Sequence, residues 1–170
     1  MVMNALFANY TAVAKKLGLV WEDGRIHGTV DGIALQMSFG THSVHVTALL
    51  PIPAPIDLSV VTKGLIGKLV DLFGSHTDAL GDPELDKVFA VKATNISRVA
   101  TLLGPEARRA LLEIEKEGLH PAIDAHAAHL RRFSTSAIDD SQDKIERDFR
   151  EAARLARAVS NSFKAAAGST

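Results

Sequence analysis

The sequence predicts an α+β fold: an antiparallel sheet of five or six strands, with an N-terminal helix and a long C-terminal helix packed on one face. Three observations carry this. Between residues 26 and 50, apolar residues alternate with polar ones in three successive runs. Asp31-Gly32 separates the first two runs by two residues, the signature of a type I′ hairpin turn. Near the other end, Ile145, Phe149, Ala152, Ala156, Val159 and Phe163 form one narrow helical stripe.

The first element is a helix capped by Asn4, with Leu6, Phe7, Tyr10, Val13, Ala14 and Leu17 on one side and Gly18 as its stop. The meander follows: Ile26–Val30, Ile33–Phe39 and Val44–Leu50, with a second turn at Gly40-Thr41. The prolines of Pro51 to Ile56 deny that stretch a regular ladder, so it is an extended connection. Leu58, Val60 and Thr62 form a short fourth strand. Gly64 to Gly74 carries Leu65, Ile66, Leu69, Val70 and Phe73 on one helical face, but its glycines and short length leave it open between a weak helix and an apolar loop. Ser75 to Asp86 is turn-rich and faces solvent. Val88–Val91 is apolar on both faces, as in a central strand. Asn95 caps a short helix, and Gly104-Pro105 breaks it and starts another that Gly118 ends; these middle helices pack at an edge or end of the sheet. Leu119 to Phe133 holds one or two strands of open register. Asp139, Asp140 or Ser141 caps the last helix, whose alanine-rich stripe suits a core or a homodimer seam, core packing being favoured. The organisation is a single domain over residues 1–166 with a frayed tail over 167–170.

Composition excludes several classes of function. The net charge of −1 supplies no basic face for nucleic acid. With 0 cysteines there is no disulfide, thiolate metal site or thiol nucleophile. No apolar run reaches the roughly 18–20 residues of a membrane span, and no leader pattern opens the chain, so a cytoplasmic protein is expected. There is no P-loop, dinucleotide fingerprint or nucleophile elbow. No catalytic or cofactor-binding residue and no cofactor is therefore assigned.

Two groups of residues invite a functional reading. His120, Asp124, His126 and His129 have the ligand chemistry of a transition-metal site. Within a strand, however, His126 and His129 point to opposite faces, so edge-strand histidines are the favoured reading. His27, His42 and His45 read the same way, and Arg108-Arg109 and Arg131-Arg132 read as solvated basic clusters. The apolar residues Leu65, Ile66, Leu69, Val70 and Phe73, with the single tryptophan Trp21, are candidates for partner contact.

The stretch Gly81 to Ile114 resembles a pattern of uncharacterised bacterial α+β domain families. In it Gly-Asp-Pro (Gly81, Asp82, Pro83) precedes Asp86, Phe89 and Val91, and Leu-Leu-x-Pro-Glu-x-Arg follows as Leu102, Leu103, Pro105, Glu106 and Arg108. The resemblance implies a shared fold and carries no activity. The layout of helix, meander and closing helix is similar to type III secretion chaperone-like domains, which implies a dimer that binds partner segments. The leading expectation is a non-catalytic protein-interaction module that binds a protein partner or a second copy of itself. The alternatives are a secretion-chaperone-like dimeric adaptor and a histidine-centred metal protein or enzyme.

Overall fold

The computed structural model describes residues 7–68, 78–135 and 140–168. It is an α+β structure built on one antiparallel sheet of eight strands. In chain order these are β1 (Val20–Glu22), β2 (Arg25–Val30), β3 (Ile33–Gly40), β4 (Ser43–Leu49), β5 (Leu58–Thr62), β6 (Phe89–Ala93), β7 (His120–Asp124) and β8 (Ala127–Phe133). The helices are α1 (Ala8–Leu17), α2 (Pro83–Val88), α3 (Ile96–Leu102), α4 (Pro105–Lys116) and α5 (Gln142–Ala167). The spatial order of strands is β1-β2-β3-β4-β8-β7-β5-β6. The last hairpin, β7–β8, thus fills the space between the meander β1–β4 and the pair β5–β6.

Eight strands replace the expected five or six, for two local reasons. β1 has only three residues, too few to show alternation. It is joined to β2 by Asp23-Gly24, where both residues have positive φ (50° and 74°), a second turn of the same kind as Asp31-Gly32 (51° and 80°). The region from Leu119 to Phe133 resolves into two paired strands, with Ile123 opposite Ala128.

The helical layer forms as the stripes predict. Ile145, Phe149, Ala152, Ala156, Val159 and Phe163 of α5 are all buried. So are Ala153, Leu155 and Ala158, because α1 and α4 flank α5. The apolar side of α4, Ala107, Ala110, Leu111 and Ile114, is buried too, and its alanines permit close approach. Hence α4 lies in the helical layer over β7 rather than at an edge. β6 is an edge strand, not a central one. It is nevertheless buried, since α2 and α3 pack against it and Asp78 bridges to Val91 along its outer side. No helix among the described residues is long and apolar enough to cross a membrane.

Ser141 provides the cap of α5 through its hydroxyl, and Asn95 caps α3. Asn4 lies outside the described residues, as do 169 and 170 of the expected tail.

Ser75 to Asp86 is not simply a solvent-facing turn. Its second half starts α2, and Leu80 and Leu85 are buried. Asp82 caps α2 by accepting from the backbone N–H groups of Glu84 and Leu85. Its other oxygen accepts from Arg108 Nη1 at 3.0 Å. Arg108 also donates from Nε to the Leu103 carbonyl and from Nη2 to the Ala100 carbonyl, each at 2.6 Å. One planar fork therefore closes the end of α3 and fixes the start of α2, so Arg108 is no solvated cation. The three N–H donors of lysine radiate from one atom and cannot reach acceptors spread along a planar fork. Arg108→Lys is expected to cost about 1–2 kcal/mol in urea denaturation, and an unchanged midpoint would show the fork to be dispensable.

A second charged cluster is buried under α5. Arg132 is 5% exposed, Asp140 2% and Asp148 0%. Arg132 donates from Nε to Asp148 at 2.7 Å and from both terminal nitrogens to Asp140 at 2.9 Å. Tyr10 of α1 donates its hydroxyl to Asp140 at 2.5 Å. The solvated reading of Arg131-Arg132 therefore fails for Arg132. Its strand phase is that of Leu130 and Ala128, so it points at the helices, where only paired charge is tolerated.

Candidate functional site

The helices α1, α4 and α5 account for one face of the sheet. On the opposite face, alternate residues of the central strands stay half-buried or exposed: Ser43, His45, Thr47 and Leu49 on β4, then His129, Arg131 and Phe133 on β8. β7 continues the face with His120, Ala122 and Asp124. Strand register then places these side chains together. His45 and His120 lie on either side of Arg131 as its cross-strand partners. Thr47 and Ala122 do the same for His129, and Val61 of β5 stands beyond Ala122.

These residues line a cavity of about 200 Å³. Its polar wall is His45, Thr47, His120, His129 and Arg131; Val61, Ala122 and Leu65, from the 3₁₀ turn Lys63–Lys68, are apolar. Burial, and after it Arg131 and His129, pull the pKa of His45 down. Burial likewise lowers His120, with Glu115 opposing and Arg131 assisting. Both imidazoles are thereby kept toward the neutral form, in which each ring has one N–H donor. His120 also stacks edge-on against Phe133, with ring centroids 5.3 Å apart.

Beside the cavity runs a hydrogen-bonded chain. His129 Nε2 donates to Asp124 Oδ2 at 2.7 Å, and Thr47 Oγ1 lies 3.3 Å from His129 Nδ1. Against the upward push of its burial, the backbone N–H of His126 and the imidazole of His129 hold the Asp124 carboxyl below its ordinary pKa. An ionised Asp124 has no proton to give, so Nε2 of His129 carries the proton of this contact. The order Thr–His–Asp has the outline of a nucleophile relay. Thr47, however, sits in the interior strand β4, paired on both sides with β3 and β8. Its neighbouring amides are engaged in ladders and leave no pair to hold an oxyanion. The chain orients side chains and supplies polar contacts to the cavity.

The proposed metal ligands divide. Asp124 and His129 pair with each other, His120 stands across Arg131, and His126 is exposed, contributing only its backbone N–H to Asp124. Among the described residues no three histidine or acidic side chains gather as a metal would need. Of the partner candidates, Trp21 is half-buried, stacked on Phe39 at 5.7 Å and against Phe7 at 5.6 Å under α1. Leu65 lines the cavity. Leu69, Val70, Phe73 and the side chain of Ile66 lie outside the described residues. Sequence reasoning missed His45, Thr47 and Arg131 as a group, and missed Leu49 and Phe133, which are 54% and 49% exposed. The signal was their common outward phase, visible only once β4 and β8 are known to be neighbours.

The fold and this face define a helix-backed antiparallel sheet with one face left largely open by the described residues. No family model matches the chain, and no curated protein matches it. A solved structure does share the fold. The crystal structure of the mycobacterial trehalose monomycolate transport factor A, TtfA, superposes with a TM-score of 0.61 at 10% identity, covering 94% of this chain and 95% of that one.

Proposed function

We propose that this chain is a non-catalytic, cytoplasmic protein-interaction module that receives its partner on the open sheet face. The observation that carries the reading is the exposure of Leu49 and Phe133, at opposite ends of the paired strands β4 and β8, on a face that α1, α4 and α5 leave free. Large apolar side chains framing a polar centre are the composition of an interface, with anchors and a hydrogen-bonding middle. The fold shared with a transport factor supports an accessory role in place of catalysis.

Site-directed photo-cross-linking in the native cell tests this. A photoreactive residue at position 49 or 133 is expected to give one discrete adduct, and one at exposed Lys144 on the helix layer none. The adduct is then rebuilt from purified components, and a dimer mass by light scattering would make the occupant a second copy. Leu49→Asp with Phe133→Asp is expected to abolish the adduct while moving stability by no more than about 0.5 kcal/mol, as surface changes do. Equal labelling from both faces, or none from the sheet, would overturn the reading.

A further inference from the structure

Arg131 is the unusual group of the open face. The other partly or fully buried arginines, Arg108, Arg132, Arg147 and Arg154, each lie within 4 Å of a carboxylate. Arg131 is half-buried and enters no ion pair or side-chain hydrogen bond among the described residues; its neighbours across the strands are two histidines. Nearby, His120 Nδ1 is buried with no hydrogen-bond partner among them. A guanidinium partly withdrawn from water, with imidazoles at its sides, is short of an anion.

Size and charge narrow the anion. The cavity of about 200 Å³ is smaller than the roughly 300–1,000 Å³ of drug-sized sites. Its occupant is therefore a molecule smaller than those such sites hold. A single guanidinium between neutral imidazoles matches one negative charge better than two. The wall of Val61, Leu65 and Ala122 gives an apolar end opposite the charge.

We propose that this cavity binds a short-chain monocarboxylate, with its carboxylate on Arg131 between His45 and His120 and its alkyl end against Val61, Leu65 and Ala122. The site goes beyond the partner reading and is tested on the isolated chain, so either can fail alone.

The test is calorimetric titration of the purified chain with sodium butyrate, acetate and inorganic phosphate in turn, with histidine ring resonances followed by NMR. Butyrate is expected to bind saturably at one site, to shift the His45 and His120 signals, and to bind roughly tenfold more tightly than acetate, the worth of two more buried methylenes. Arg131→Gln is expected to weaken butyrate at least tenfold. Ala122→Leu keeps the guanidinium and fills the alkyl end; it is expected to erase the preference for butyrate over acetate, and it decides the matter should Arg131→Gln not fold. Absence of saturable butyrate binding, phosphate binding as tight as butyrate, or a full butyrate preference in Ala122→Leu would each overturn the proposal.

Discussion

Arg132→Met is expected to destabilise the protein by about 3–5 kcal/mol, the cost of breaking a buried ion pair from one side. Methionine matches much of the length of arginine, so packing is largely kept and the charge alone is removed. What remains is Asp140 and Asp148, 2% and 0% exposed, stripped of the three hydrogen bonds that Arg132 donates. Tyr10 would still donate to Asp140, and the only cations left near the pair among the described residues would be the more distant Lys144, 3.8 Å from Asp140, and Arg147, 3.9 Å from Asp148. Urea denaturation followed by far-ultraviolet circular dichroism measures the loss. Adding Asp140→Leu and Asp148→Leu to Arg132→Met is expected to recover much of it, since the cost lies in stranded carboxylates. A loss under about 1 kcal/mol for Arg132→Met alone would mean that water reaches the cluster.

Asp148→Asn is expected to change how stability depends on pH. Burial pushes the Asp148 carboxyl from 3.8 up to about 6, although Arg132 pulls the other way. The folded state therefore takes up a proton at a higher pH than the unfolded chain does. As pH falls from about 6 to 3.8, this group makes the folded state progressively more stable relative to the unfolded one. As pH rises through about 6, that contribution is lost. Asp140 acts in the opposite sense and lower down: its burial is outweighed by Arg132 and Tyr10, which hold it below its ordinary value. Its contribution is lost only in stronger acid. An asparagine at 148 does not titrate. The stability of the wild type relative to Asp148→Asn should then rise by up to about 3 kcal/mol between pH 7 and pH 4. Parallel denaturation series at the two pH values read this difference, and a constant offset would show that Asp148 titrates normally.

What was legible in the sequence was local. Asp31-Gly32 has both residues at positive φ, and the pair Val30–Ile33 closes the hairpin as the dipeptide demands. The α5 stripe from Ile145 to Phe163 is buried residue for residue, because one helix face is decided by spacing alone. Misreadings arose where a neighbour distant in sequence decides. Val88–Val91 looked central because it is apolar on both sides, yet other elements, not flanking strands on both edges, do the covering. Arg132 looked solvated beside Arg131, although strand alternation sends the two to opposite faces and puts Arg132 against Asp148, which is 16 residues away. The cavity depends on β4 lying beside β8, and no periodicity in either strand encodes that pairing. Asp23-Gly24 is the one feature that sequence reasoning could have taken further, being the same turn signal as Asp31-Gly32.

The position of the β7–β8 hairpin also sets a problem of timing. β4 ends at Leu49, and its partner β8 ends at Phe133, 84 residues later (133 − 49). At a synthesis rate of about 5–20 residues per second, the strand edge of β4 waits roughly 4–17 s for its mate. β5 likewise waits for β7. Over that interval the nascent chain presents two unpaired edges, either of which can recruit a strand from another molecule. Proline-rich Pro51 to Ile56 follows directly on β4 and cannot extend its ladder, which limits the length of edge on offer. Yield during expression should therefore be more sensitive to changes in β7–β8 than the stability of the finished protein is.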